Sequence, residues 1–281
     1  MRDRFQGALL GLSLTPTALS SWPQPAPGDR AMLTQAIDIA LSSSGGFARL
    51  DATTAFYPDM ANRLSPTFWL PASVPVLLRY HDSWARRLRR LSPLSALNAL
   101  AVPACQRLAQ IALLGDLLEA MDKGWAGSSW NDWLVTCSAR YTDWPQLQIQ
   151  YRFILSALAL PESSSLGRWA QASASLPIDC TVNKNHDGFV QGVASALIFL
   201  ESYVLAVNSA AKSASRPSAE QTVEATWESV FVSGLLAGAL NGKSAIPVLW
   251  QMQPNLVETI AIANDLFSLW GGISTACDLP D

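Results

Sequence analysis

The chain has 281 residues, a formal net charge of −3, and 15% charged against 49% apolar residues. That charge offers nothing global to nucleic acid, and the length suits one large helical core in a single domain spanning residues 1–281. So few charges, with 11 tryptophans, predict an exposed apolar face covered by a protein partner or a second copy; the alternative is a thick core under a merely polar surface. Cys105, Cys137, Cys180 and Cys277 are dispersed without a Cys-x-x-Cys, and His81 and His186 are far apart, so no zinc spacing is present. The thiols read as buried and free, in a reducing, cytoplasmic compartment.

Helical periodicity dominates from the first residues. "RFQGALLGLSL", Arg4 to Leu14, carries Gly7 and Gly11 on one face. The basic start and apolar run have the outline of a secretory signal, but Asp3 and the glycine stripe favour a packed helix. A second helix is predicted from Arg30 to Leu41, stopped by Ser42–Gly46. From Ala72 to Leu91 one stripe takes Val74, Leu77, Leu78, His81, Trp84, Ala85, Leu88 and Leu91, with Pro75 in its first turn. Leu94–Met121 reads as two helices or one kinked at Pro103. Further helices are predicted at Ser129–Arg140, Pro145–Leu160, Asp187–Val207, Thr222–Asn241 and Leu256–Leu269, with loops at Ser20–Asp29, Pro161–Gly167 and Asn208–Gln221. Alternating β-branched runs are almost absent, so the expected fold is all-α.

The stretch Ser229–Gly242 is uncharged and places Gly234, Gly238 and Gly242 four residues apart. It is too short for a membrane span, which needs roughly 20 apolar residues. Small residues at that spacing let a second helix backbone approach closely, and the Gly7/Gly11 face is the predicted partner.

Four segments in order resemble the ADP-ribosylglycohydrolase family: Arg4–Leu14, "DRAMLTQAIDIALSSSGGF" (Asp29 to Phe47), "VASALIFLESYVLAV" (Val193 to Val207), and "VSGLLAGALNGKSAIPVLW" (Val232 to Trp250). The resemblance implies an orthogonal multi-helix bundle and two magnesium ions flanking the terminal ribose of an ADP-ribosyl group, where an activated water cleaves the glycosidic bond. Magnesium demands hard oxygen ligands, and here the family's acidic motifs have thinned. "PGDR" stands where the first motif, Thr-Asp-Asp-Thr, is expected, leaving Asp29 with Arg30 beside it. Alignment of the glycine stripe sets the second motif, Gly-Gly-Asp-Thr-Asp-Thr, on Val223–Glu228. Its aspartates are then replaced by Ala225 and Trp227, with Thr226 kept between them and Glu228 last.

The candidate ligand-binding set is therefore Asp29, Thr226 and Trp227. The residual metal candidates are Asp29, Thr226 and Glu228, and Asp29 and Glu228 are the catalytic candidates of an active member. Each has an ordinary alternative. Asp29 caps the helix it precedes, the Glu224/Glu228 pair forms a solvated helix face, and Trp227 packs in core or cleft. Arg79, Arg86 and Arg90 share a stripe that reads as a polar face or an anion-binding or partner patch. His81 on the apolar stripe reads as a satisfied core residue. The leading expectation is a family-like protein without the dinuclear site, with no cofactor, acting as a non-catalytic binding, regulatory or protein-interaction module. Its partners would be proteins or a second copy, with ADP-ribose or a nucleotide as possible ligand, and neither nucleic acid nor a membrane span. The alternatives are a magnesium-dependent hydrolase of ADP-ribosyl bonds with a rebuilt site, and a structural subunit of a larger assembly.

Overall fold

The computed structural model describes residues 2–18, 27–46, 64–84, 102–123, 130–141, 143–158, 187–214, 224–253 and 256–271. Among them every regular element is helical: α1 Arg2–Ala18, α2 Pro27–Gly46, α3 Trp69–Arg79, α4 Val102–Asp122, α5 Trp130–Arg140, α6 Pro145–Leu158, α7 Asp187–Ile198, α8 Tyr203–Ala214, α9 Glu224–Asn241, α10 Val248–Gln251 and α11 Leu256–Trp270. Short 3-10 turns at Pro66–Phe68 and Lys243–Ala245 precede α3 and α10. The fold is all-α, and no helix among the described residues is long and apolar enough to cross a membrane.

Helix α9 is the axis of the packing. Every residue from Trp227 to Ala239 is buried, as expected of a helix apolar on all sides. Helices α1, α7 and α8 pack around it, with α2 and α4 at its flanks. The contact with α1 is the predicted glycine seam. A Cβ on Gly7 would lie 2.6 Å from Gly242 Cα, and one on Gly11 would run into the carbonyl of Gly234. Neither backbone can yield, so only glycine fits both sides. Tyr203 of α8 donates its hydroxyl to Gly11 O at 2.7 Å, tying a third helix to the seam. On its other side α1 meets α11, where Arg2 Nε and Gln6 Nε2 both donate to Asn264 Oδ1 at 2.9 and 2.8 Å. The buried apolar residues form one continuous core from Phe5 to Leu266.

Several boundaries differ from the sequence reading. Helix α2 opens at Pro27 and continues through Ser42–Gly46, so Asp29 sits inside the first turn instead of capping it. Proline at the first helical position explains the early start, because its missing N–H would be unpaired there anyway. Helix α3 begins at Trp69 and ends at Arg79. Pro71 takes the first turn, Pro75 lies inside the helix, and the chain leaves by a turn with Ser83 N donating to Tyr80 O at 3.1 Å. His81 is therefore in that turn, off the helical stripe assigned to it. Helix α4 begins at Val102 with Pro103 in its first turn, and the Leu94–Ala101 part of the expected Leu94–Met121 stretch lies outside the described residues. The single helix expected at Asp187–Val207 is two. Ser202 caps α8 by accepting from Leu205 N at 3.3 Å, and α8 runs to Ala214 across the start of the expected loop.

Candidate functional site

The segment aligned with the second metal motif forms the first turns of α9. Its described side chains point into the protein. Trp227 and Glu228 are each 1% exposed, so Glu228 is not the solvated face that its i,i+4 spacing to Glu224 suggested. It is buried because α4 supplies its counter-charge. Arg107 Nη1 pairs closely with Glu228 Oε1 and also donates to Gln110 Oε1 at 2.7 Å. A charge buried this deeply is tolerable only with such a partner. Trp227 packs edge-on against Phe231, with ring centroids 6.1 Å apart. It is a core residue, although its indole Nε1 and Glu228 Oε2 both lack hydrogen-bond partners.

The other candidates divide by placement. Asp29 and Thr226 lie in the first turns of α2 and α9, helices that pack on each other, and their side chains fall outside the described residues, as do those of Arg30 and Glu224. Arg79 is half-buried, with its guanidinium carbon 5.0 Å from the Tyr80 ring centroid. Arg86 and Arg90 lie outside the described residues, and α3 stops at Arg79, so no described helix carries the three as a stripe. Cys105 and Cys137 are buried free thiols, as expected; Cys180 and Cys277 lie outside the described residues.

Two further buried polar constellations were not anticipated. On α4, Asp116 Oδ2 accepts from Tyr141 Oη at 2.6 Å and from Tyr151 Oη at 2.5 Å, while Oδ1 has no hydrogen-bond partner. Burial pushes its carboxyl up to about 6, against the opposing pull of the two tyrosine hydrogen bonds; Glu119 raises it further and Arg140 lowers it. Burial and then the Asp116 charge push the neighbouring Cys137 thiol up to about 12 and hold both tyrosines upward. This network keeps its protons at neutral pH, apart from the carboxyl itself. In the second constellation His81 bonds Leu78 O through Nδ1 at 2.7 Å, and its Nε2 stands 3.6 Å from Asp122 Oδ1. Phe5 and Trp270 enclose the imidazole. The cleft beside it, lined also by Arg4 and Met121, has room for about one water. His81 is thus buried, but it is not the satisfied core histidine expected from the sequence: its Nε2 and the facing Asp122 Oδ1 both lack hydrogen-bond partners.

A sequence signal for Arg107 and Asp116 exists: they are the only charges in Val102–Leu118, and a charge in an apolar helix must find a buried partner. The described members of the second motif do not fit a dinuclear magnesium site. Trp227 brings no oxygen, and one oxygen of Glu228 is committed to a guanidinium. Among the described residues no three His, Cys, Asp or Glu side chains group as they would to hold a metal ion. No family model, curated protein or solved structure matches this chain.

Proposed function

We propose that this chain is an ADP-ribosylglycohydrolase-like protein in which an internal cation, the Arg107 guanidinium, has taken the place of a divalent ion, and that it acts by binding and not by hydrolysis. The observation that carries the reading is the buried Arg107–Glu228 pair beside Trp227. In the family this turn would present oxygen donors to magnesium; here it presents an indole and a neutralised carboxylate. A guanidinium cannot polarise a water as a metal does, so the hydrolytic step loses its nucleophile, and the activity proposed is binding of ADP-ribose or a related nucleotide without turnover. Cys105 and Cys137 as free thiols support a cytoplasmic setting for this role.

Calorimetric titration with ADP-ribose, with and without magnesium, tests the proposal alongside an assay for ADP-ribose release from modified arginine. The expected result is binding that magnesium does not change and no release above background. Magnesium-dependent release that Asp29→Ala abolishes would establish the rebuilt hydrolase instead.

A further inference from the structure

The turn after α3 and the end of α4 set two hydrogen-bond acceptors face to face. A backbone carbonyl only accepts, so the 2.7 Å contact of His81 Nδ1 with Leu78 O places the proton of the neutral ring on Nδ1. Nε2 is left with a lone pair. It faces Asp122 Oδ1 at 3.6 Å, and an ionised carboxylate has no proton to offer. Neither atom has a hydrogen-bond partner, and both residues line one cleft. The imidazole cannot turn away. His81 is 5% exposed, and the Phe5 and Trp270 ring centroids lie 5.2 and 5.3 Å from its own. Two buried acceptors held this close are unfavourable unless a donor or a cation stands between them.

The separation selects the occupant. A proton shared directly between the two atoms needs them within about 3.2 Å. A water donating to both would hold them about 4.4 Å apart. Two ligand bonds of about 2.1 Å that span 3.6 Å meet at about 120°, an open tetrahedral angle. We infer that the pair binds one divalent transition-metal ion of the zinc class, with His81 Nε2 and Asp122 Oδ1 as its protein ligands. Octahedral magnesium would draw the two atoms to about 3 Å, and magnesium and calcium favour oxygen over imidazole. The Nδ1–H bond to Leu78 O is the outer contact that orients a metal-binding histidine. No third His, Cys, Asp or Glu of the described residues joins the pair, so water fills the remaining positions, entering past the 17% of the Asp122 side chain that is exposed. Arg4 lines the same cleft and opposes a cation. Its Nη1 is committed to Met121 O at 2.6 Å, so it weakens the site without filling it. Ala239 of α9 also lines the cleft, roughly 16 Å along that helix from Glu228. The site is therefore separate from the Arg107–Glu228 pair, and the inference is independent of the ADP-ribose reading.

Equilibrium dialysis of the full chain against zinc, cobalt absorption spectra and side-chain nitrogen NMR of the histidines test it. The expected result is one zinc per chain, a tetrahedral cobalt spectrum, and a zinc-induced shift of one histidine Nε2 in the wild-type protein. His81→Gln and Asp122→Asn should each weaken uptake more than about tenfold, since even the outer partner of a metal ligand is worth that much. His186→Gln, which removes the other histidine of the chain, should leave uptake and the shifted resonance in place. The wild-type NMR reading decides the matter even where a variant fails to fold. Absence of zinc uptake overturns the inference. So does zinc that both His81→Gln and Asp122→Asn retain, or that leaves with His186→Gln, Cys180→Ser or Cys277→Ser. A His81 ring protonated on both nitrogens at neutral pH and indifferent to zinc would assign the pair to a proton and equally overturn it.

Discussion

Glu228 and Asp116 show how one chemical group, a buried carboxyl, takes different roles according to what faces it. Glu228 has a guanidinium against one oxygen, whereas Asp116 has two phenols and no directly bonded cation. Removing one member of a buried ion pair strands the other, which costs about 3–5 kcal/mol, whereas replacing both with apolar groups is often close to neutral. Arg107→Met and Glu228→Leu should each lower stability by that amount in urea unfolding, and the double variant should recover most of the loss; additive losses would show that the pair is not coupled. Asp116 should produce a pH effect of the opposite kind to a salt-bridged carboxylate. Its folded-state value of about 6 lies above the ordinary 3.8, so the folded protein binds its proton more tightly than the unfolded chain. The site therefore destabilises above pH 6, and that penalty disappears as pH falls through 6 towards 3.8. Asp116→Asn, which keeps an acceptor for both tyrosines, should gain about 1–3 kcal/mol over wild type at pH 7.5. The gain should vanish near pH 4, as read by parallel denaturation curves at each pH.

At the scale of helices, the α1–α9 seam is the contact that the sequence specified most fully. Glycine spacing on two distant segments named both partners and both faces, because only backbone-to-backbone approach requires that pattern. Gly11→Ala and Gly238→Ala should each cost about 3 kcal/mol by thermal or urea unfolding, the upper end of the usual overpacking range, since a clash with backbone cannot be relieved by a rotamer change. A loss below 1 kcal/mol would mean that the helices are not in contact. Helix ends were legible only in part. Pro27 and Pro103 both stand at helix starts, where proline is tolerated, but neither marks a start unless the following residues are known to be helical. The split between α7 and α8 was missed because apolar periodicity persists across Phe199–Ser202 while Ser202 acts as a cap. α10 escaped notice because a single turn has no periodicity to detect.

For the whole molecule, helices from every described segment share one core, so unfolding is expected to be a single cooperative transition in which calorimetric and van't Hoff enthalpies agree. Two separable transitions would divide the chain into independent units. The sequence by itself determined the helical class and the partnership of the first helix with the glycine-striped one. These follow from composition and spacing along one chain, which short-range sterics and apolar periodicity convert directly into helices and faces. Only the tertiary structure decided which charge meets which. Arg107 and Glu228 are 121 positions apart, and Asp116 finds Tyr141 and Tyr151 on two other helices. No periodicity encodes such pairings. They arise because a charge carried into the core by its helix takes whatever partner the packing of the neighbouring helices brings within reach.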